Sequence, residues 1–111
     1  MILNLMRNWY INVVNRTASR ALNTEYTNTT GRSMFVSCSV YLIIVTGADS
    51  ADATASVDSV ASASCSIGTG SSAGTYVQNL NFVVPPGKTY RVDKIEGTAG
   101  QVLLNIWTES N

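Results

Sequence analysis

Histidine is absent from the 111-residue sequence, and cysteine and proline occur only twice each. The missing histidine excludes Ser-His-Asp and Cys-His catalytic arrangements and removes the side chain most often used as a general base. It also removes the commonest metal ligand and the usual switch near neutral pH.

Charged side chains are also scarce, since seven Lys and Arg against seven Asp and Glu make 13% of the chain with no net charge. Proteins that bind nucleic acid through its phosphates normally carry a basic excess, so we expect no nucleic-acid partner. The charges are unevenly spread, because residues 1–32 hold four arginines and one glutamate. Unless this asymmetry is chance, Arg7, Arg16 and Arg20 are candidate docking contacts for an acidic surface or a neighbouring subunit.

Long apolar runs are missing as well. The longest, residues 40–45, is far shorter than the ~18 residues of a membrane-spanning helix. The apolar residues 1–6 are too few for a signal-peptide core, and their first charge follows them, so we expect neither membrane insertion nor export. Cys38 and Cys65 match no zinc or redox spacing and are either two free thiols or one intrachain bridge.

Hydroxyl side chains are abundant, with 13 Ser and 12 Thr beside 10 Asn. Strand signals recur along the chain, and no segment has apolar residues at helical spacing. Asp58 and Ser59 predict a hairpin turn, residues 85–88 predict a second tight turn, and two Asn-x-Thr triplets at Asn15 and Asn28 are attributed to local turns. The predicted strands are residues 9–14, 33–46, 53–58, 60–66, 75–84, 89–95 and 101–107.

Seven or eight strands at this spacing predict an all-β fold, an antiparallel β-sandwich or jelly-roll-like domain. We expect it to cover residues 9–111, after an N-terminal arm of residues 1–8. Trp9 and Trp107 are expected to be buried where the first and last strands pair. In the longest strand, residues 42–45 are apolar on both faces, and a chain this short rarely builds a third layer. Leu42, Ile43 and Ile44 are therefore candidate contacts between subunits.

Motifs for catalysis or ligand chemistry are weak throughout. The glycine-rich residues 68–74 lack the Lys-Ser/Thr and the helix that a phosphate loop needs. Asp49 and Asp52 are too few for the six to eight oxygen ligands of calcium. Asp93 and Glu96 are typical of solvated charges at strand ends. We therefore predict no catalytic, metal or cofactor site and no enzyme.

Binding through loops is the better prediction. Residues 47–52 and 68–74 carry hydroxyls and carboxylates that suit sugar hydroxyls, and Tyr41 and Tyr76 are candidate aromatic rings for stacking on a glycan. The candidate loop contacts are Asp49, Ser50, Asp52, Thr69, Ser71 and Ser72.

Three segments resemble the distal β domain of bacteriophage tail-fibre proteins. The first is residues 19–32, which include Tyr-Thr-Asn-Thr-Thr-Gly-Arg and lead at once into the long strand. The second is residues 82–92, with a Pro-Pro-Gly-Lys turn before a tyrosine-bearing strand, and the third is Ile-Trp-Thr-Glu at residues 106–109. The resemblance implies a small all-β homotrimer, exposed on the virion and without catalytic residues.

Two functions are compatible with this resemblance. One is a host-binding knob that contacts a surface glycan or protein. The other is a head-decoration, cement or tail-accessory protein docked by its N-terminal arm and arginines. In both, the expected partners are further copies of the chain and other virion proteins, and the expected location is the virion after synthesis in the host cytoplasm.

Overall fold

The computed structural model describes residues 12–111, which form an all-β fold with one short 3₁₀ helix at Thr17–Ser19. The residues before Asn12 lie outside this description, and with them the predicted arm, Arg7 and Trp9. Eight strands follow one another along the chain. They are β1 (Val13–Asn15), β2 (Tyr26–Thr27), β3 (Met34–Ile44), β4 (Ser50–Val57), β5 (Val60–Ile67), β6 (Gly74–Val84), β7 (Thr89–Gly97) and β8 (Gln101–Ser110).

The strands form two four-stranded antiparallel sheets, in the orders β1-β8-β3-β6 and β2-β7-β4-β5. Strand β1 pairs with β8, β2 with β7, β3 with β6 and β4 with β5. These are the pairings of one long hairpin whose tip is the β4–β5 turn and which is rolled into two layers. This order is that of a jelly roll. The predicted β-sandwich is confirmed, and the two-residue strand β2 is the element that the sequence did not reveal.

Strand β3 supplies the centre of the core. Val36, Cys38, Val40 and Leu42 are fully buried, as their alternation predicts. Ile44 is buried with them, so Leu42 and Ile44 are core residues and not subunit contacts, which corrects the expectation for both. The physical reason is the strand's period of two, which turns only the intervening side chains outward.

Side chains of very different size fill the space between the sheets. On β4, Ala51, Ala53 and Ala55 are completely buried. Around Trp107 the space is filled by aromatic rings instead, with Tyr90 and Tyr26 at centroid distances of 6.3 and 6.1 Å. The predicted burial of Trp107 beside the pairing of β1 with β8 is confirmed.

The predicted hairpin turn is confirmed, because Val57 and Val60 are paired and the two residues between them have φ angles of 52° and 65°. Two left-handed residues in succession are those of a type I′ turn. At residues 85–88 the Lys88 amide donates to the Pro85 carbonyl at 3.2 Å, and Gly87 has a φ of 76°. The first turn joins the antiparallel pair β4 and β5, whereas the second leads from β6 of one sheet to β7 of the other.

The two cysteines are free thiols, as one of the two alternatives proposed. Cys38 lies in the core, and burial raises the pKa of its thiol to about 12. It therefore behaves as a small apolar residue. No helix among residues 12–111 has the length and hydropathy that crossing a membrane requires.

Candidate functional site: an uncharged face and flank

The outward side of the β1-β8-β3-β6 sheet, here called the outer face, is formed by side chains that alternate with the buried residues of these strands. Within the described residues, none of these side chains is charged. They are Val13, Asn15, Phe35, Ser37, Ser39, Tyr41, Ile43, Thr75, Val77, Asn79, Asn81, Val83, Gln101, Leu103, Ile106, Thr108 and Ser110.

One apolar band crosses the outer face where β3 begins. Phe35 is paired with Val83 on one side and with Ser110 on the other, and Ser110 is paired with Val13. Phe35, Val83 and Val13 are about half exposed or more. A groove of about 440 Å³ opens here, lined by Ser33, Met34, Phe35, Val83, Ser110 and Asn111.

A second apolar band crosses near the other end of β3. Tyr41 is paired with Val77 and Leu103, which are 55% and 48% exposed. Between the two bands lie serine, asparagine and threonine side chains together with the exposed Ile106, and the Asn105 amide donates to the Ser39 hydroxyl at 3.1 Å. The outer face therefore has the composition of a subunit interface, in which apolar patches alternate with uncharged hydrogen-bonding groups.

The charges of the other sheet make the contrast clear. On β7, the Arg91 guanidinium donates to Asp93 at 2.8 Å, and Lys94 lies 3.3 Å from Glu96. Asp52 on β4 is opposite Ile95 of β7, on the outward side with Arg91 and Asp93, whereas Lys94 and Glu96 are opposite the buried Ala53 and Ala51. The outward sides of the two sheets therefore differ in charge, a property that composition alone does not reveal, while the buried Glu109 lies on the inward side of β8.

A second surface, here called the flank, is the side of the sandwich formed by β5, residues 68–73 and the free edge of β6; its own side chains are uncharged, although Ser66 of β5 is paired with Asp52 of β4. Residues 59–87 contain no charged side chain. Strands β5 and β6 lie at the edges of their sheets and contact each other across the sandwich. Asp58 and Lys88, which bound this uncharged stretch, form an exposed ion pair at 3.6 Å.

Strand β6 lies between the outer face and the flank. It runs for 11 residues and is paired along its whole length with β3 in continuous register. It has no proline and no charge in its sequence. Natural proteins normally protect a long edge strand with charges, prolines or bulges, because unpaired backbone groups invite another strand. Strand β6 therefore forms a long sheet edge without these protective features.

Most of the first predicted ligand-binding loop, residues 47–52, does not serve as a ligand-binding loop. Asp49 is completely buried, and its carboxylate accepts hydrogen bonds from the amides of Thr46 (2.7 Å), Val45 (2.8 Å) and Ala99 (3.1 Å). These bonds, chiefly that from Thr46, hold the pKa of Asp49 below its ordinary value. Ser50 and Asp52 belong to strand β4. Asp49 is thus a structural cap, and the expectation of surface contact is corrected for it.

The second predicted loop does reach the surface. Thr69 and Ser72 are exposed, whereas Ser71 is partly buried and its hydroxyl donates to the Gly68 carbonyl at 2.9 Å. The Gly70 amide donates to the Gly47 carbonyl at 2.6 Å, which joins this loop to the turn after β3. Thr69 and Ser72 are therefore the loop residues available for a ligand.

The two tyrosines proposed for glycan stacking have different roles. Tyr41 points outward and belongs to the second apolar band of the outer face. Tyr76 packs against the core, and its hydroxyl donates to the Ser72 carbonyl at 2.7 Å. Tyr76 is therefore no stacking platform, because its position in β6 falls on the inward phase.

Arg20 and Arg16, which are both predicted docking contacts, have different environments. The Arg20 guanidinium donates to Glu109 through Nε at 2.9 Å and Nη2 at 3.0 Å, and it lies 4.5 Å from the centroid of the Tyr26 ring. Only 18% of its side chain is exposed, so the expected docking role of Arg20 is corrected. Arg16 lies 3.7 Å from Glu109 but is 45% exposed and stays a candidate surface contact.

Glu109 is the centre of this buried network. Besides Arg20, the Tyr90 hydroxyl donates to it at 2.7 Å and the Trp107 indole at 3.0 Å. Burial alone would raise the pKa of Glu109, but the hydrogen bonds from Arg20, Tyr90 and Trp107 lower it below its ordinary value. Burial and the hydrogen bond to Glu109 raise the pKa of Tyr90 to about 12. The network is satisfied by its own members and holds the fold together.

Several residues of the outer face were not candidates from the sequence, among them Phe35, Val77, Val83 and Leu103. For Val77 and Val83, the signal is the absence of charge across residues 59–87 combined with alternation in β6. Among residues 12–111 no cluster of three or more Cys, Asp or Glu side chains forms a metal-binding group. No protein-family model and no curated protein sequence matches this chain.

Proposed function

We propose that this chain is a non-enzymatic structural protein of a bacteriophage virion, a homotrimeric β knob that binds the host cell surface. The observation that carries the proposal is the uncharged outer face with its two apolar bands. Such a surface is costly to leave in water, and it suits close packing against another protein surface. The phage origin and the number three rest on the resemblance of residues 19–32, 82–92 and 106–109 to tail-fibre tips.

Subunit packing and host contact use different parts of the molecule. The outer face, with Tyr41 and Ile43, is assigned to packing between copies. The loop with Thr69 and Ser72 is assigned to the host surface, because both residues are exposed and present uncharged hydroxyls. One such loop binds weakly, and several copies on one particle convert weak contacts into avidity.

The test has two parts, a solution mass and a binding assay. Sedimentation of the purified protein is expected to give three copies per particle, with dissociation on dilution. A fluorescent form is expected to bind cells of a susceptible bacterium, and the Thr69→Glu/Ser72→Glu double variant is expected to lose binding. Thr29→Glu, on an exposed loop between β2 and β3, is the matched control. A monomer at all concentrations, or a trimer that binds no susceptible strain, contradicts the proposal.

A second function, reinforcement of the particle as a decoration, cement or tail-accessory protein, is favoured by the exposed Arg16 and Arg32, whose side chains are accessible to an acidic virion surface. Electron microscopy of antibody-labelled particles separates the two functions. Label at fibre tips supports the host-binding knob. Label spread over the capsid or tail tube, with loss of particle stability when the protein is removed, supports reinforcement.

A further inference from the structure

The groove at the beginning of β3 presents apolar side chains to solvent. Phe35 and Val83, which line it, are 48% and 54% exposed, although large apolar side chains are stabilised by burial. None of the six residues that line the groove is charged. A charged occupant would lose its hydration there without gaining a partner, so the groove suits an uncharged and apolar one.

The first described residue lies beside this groove. Asn12 exchanges two backbone hydrogen bonds with Asn111, of 3.1 and 3.3 Å, and Asn111 is one of the residues that line the groove. Strand β8 lies between β1 and β3, so Asn12 is two strand spacings, roughly 10 Å, from the beginning of β3. Three residues of extended chain span about 10 Å as well. A side chain three residues before Asn12 can therefore reach Phe35 and Val83.

The residue at that place in the sequence is Trp9, and Tyr10 and Ile11 connect it to Asn12. These three side chains are aromatic or aliphatic, and none of them is charged. An aromatic side chain removes roughly 150–250 Å² of surface from water when it is buried, more than most other side chains. Trp9 thus matches the groove both in chemistry and in its distance along the chain.

We propose that residues 9–11 cross the end of β8 and the beginning of β3, and that Trp9 fills the groove of its own chain between Phe35 and Val83. The occupant is this segment because Asn12 already ties its backbone to the rim of the groove. Docking then needs the ordering of only three further residues, at a high effective concentration. The segment covers the first apolar band of the outer face and leaves the second band, with Tyr41, for contact between copies.

Fluorescence quenching tests whether Trp9 is covered, because the protein has two tryptophans and Trp107 is completely buried. Acrylamide is expected to quench wild-type emission little more than that of Trp9→Phe, in which Trp107 alone emits. Val83→Lys places a charge in the groove and is expected to raise the quenching constant severalfold. Val77→Lys, at an outward position of the same strand with 55% exposure, is the matched control and is expected to leave quenching unchanged. Strong quenching of wild-type emission contradicts the inference.

Photo-crosslinking identifies the chain and the residues that position 9 contacts. In the variant Trp9→p-benzoylphenylalanine, an aromatic side chain is kept, and irradiation joins it to a neighbouring residue. Trypsin then releases residues 8–16 and residues 33–88 as separate peptides, because cleavage follows Arg and Lys. The expected product has the mass of one chain on a denaturing gel and joins these two peptides, with the link at Met34, Phe35 or Val83.

The outcomes separate this inference from the proposed function. A product with the mass of two chains means that the segment of a neighbouring copy fills the groove, which overturns the inference and leaves the proposed trimer standing. A link to residues outside the groove, or no link, also overturns the inference. A monomeric wild-type protein that gives the expected link supports the inference while contradicting the trimer. Circular dichroism and thermal melting of each variant check that its fold is unchanged.

Discussion

Arg20 and Glu109 lie 89 residues apart in the chain and are joined by two hydrogen bonds of 2.9 and 3.0 Å. Glu109 belongs to β8 of one sheet, whereas Arg20 lies on the segment that leads to β2 of the other. The Tyr90 hydroxyl, from β7, completes the link at 2.7 Å. The pair thus fastens the two sheets together beside the aromatic part of the core.

Removing this pair is expected to destabilise the fold. Arg20→Ala leaves the buried Glu109 carboxylate with only the exposed Arg16, at 3.7 Å, as a charge partner, and we expect a loss of about 3 kcal/mol in the free energy of unfolding. The control is Lys88→Ala, which removes the exposed ion pair with Asp58 and is expected to cost less than about 1 kcal/mol. Urea denaturation of both variants measures the difference, and equal losses contradict the assignment.

Acid is expected to destabilise the protein through Glu109 and Asp49. In the folded state the pKa of each carboxyl lies below its ordinary value, so the unfolded chain takes up protons first as the pH falls. The stability that both provide is present above about pH 5 and is lost progressively as the pH falls through the ordinary and then the folded pKa. Urea midpoints between pH 6 and pH 2 measure this.

The variant Glu109→Gln isolates one of the two contributions. It is expected to be less stable than wild type at pH 7, because the charge partner of Arg20 is lost, but its stability is expected to fall less steeply toward pH 2. A pH dependence as steep as that of wild type would mean that Glu109 does not contribute to acid unfolding.

The β4–β5 turn offers a stabilising substitution. Ser59 has a φ of 65°, a left-handed conformation that costs a non-glycine residue roughly 1 kcal/mol. Ser59→Gly is therefore expected to raise the free energy of unfolding by up to about 1 kcal/mol. The matched change Ser56→Gly, inside β4, is expected to lower it by roughly 0.5–1 kcal/mol. A melting temperature that falls for Ser59→Gly contradicts the turn assignment.

The turn between β7 and β8 is expected to tolerate no side chain at Gly100. A Cβ there would meet the carbonyl oxygen of Ser50, at the start of β4. Gly100→Ala is expected to destabilise the fold by roughly 2 kcal/mol, because backbone must shift to make room. Gly68→Ala, where a Cβ has open space, is the control and is expected to stay within about 0.5 kcal/mol of wild type. Thermal melting compares the two.

Local turns were predictable because they depend on neighbouring residues. The Asp58-Ser59 hairpin turn and the turn at residues 85–88 are both present. Asn28 confirms the predicted turn chemistry, since its side-chain oxygen accepts the Thr30 amide at 3.0 Å. Its amide group also donates to the Val84 carbonyl at 2.9 Å, a contact across 56 residues that no local pattern predicts.

The candidate site was predicted less well, because contacts between distant segments of the chain decide which of its residues are buried. Asp49 was expected at the surface because a loop aspartate is usually solvated, but the Ala99 amide, 50 residues away, helps to bury its carboxylate. The uninterrupted apolar run of residues 42–45 predicts Leu42 and Ile44 as contacts between subunits. Only the opposite sheet shows that these two residues are core, while Tyr41 and Ile43 face outward.

By itself, the sequence determined the all-β class, the long alternating strand β3 and the two tight turns, because periodicity and turn chemistry act over a few residues. The absence of histidine and the absence of charge across residues 59–87 are likewise properties of the chain alone. The tertiary structure decided which strands are neighbours, that Arg20 meets Glu109, and that uncharged residues from four strands share one face. These relationships are decided by pairing between distant segments, since sheet order depends on long-range hydrogen bonding and core packing rather than on local sequence.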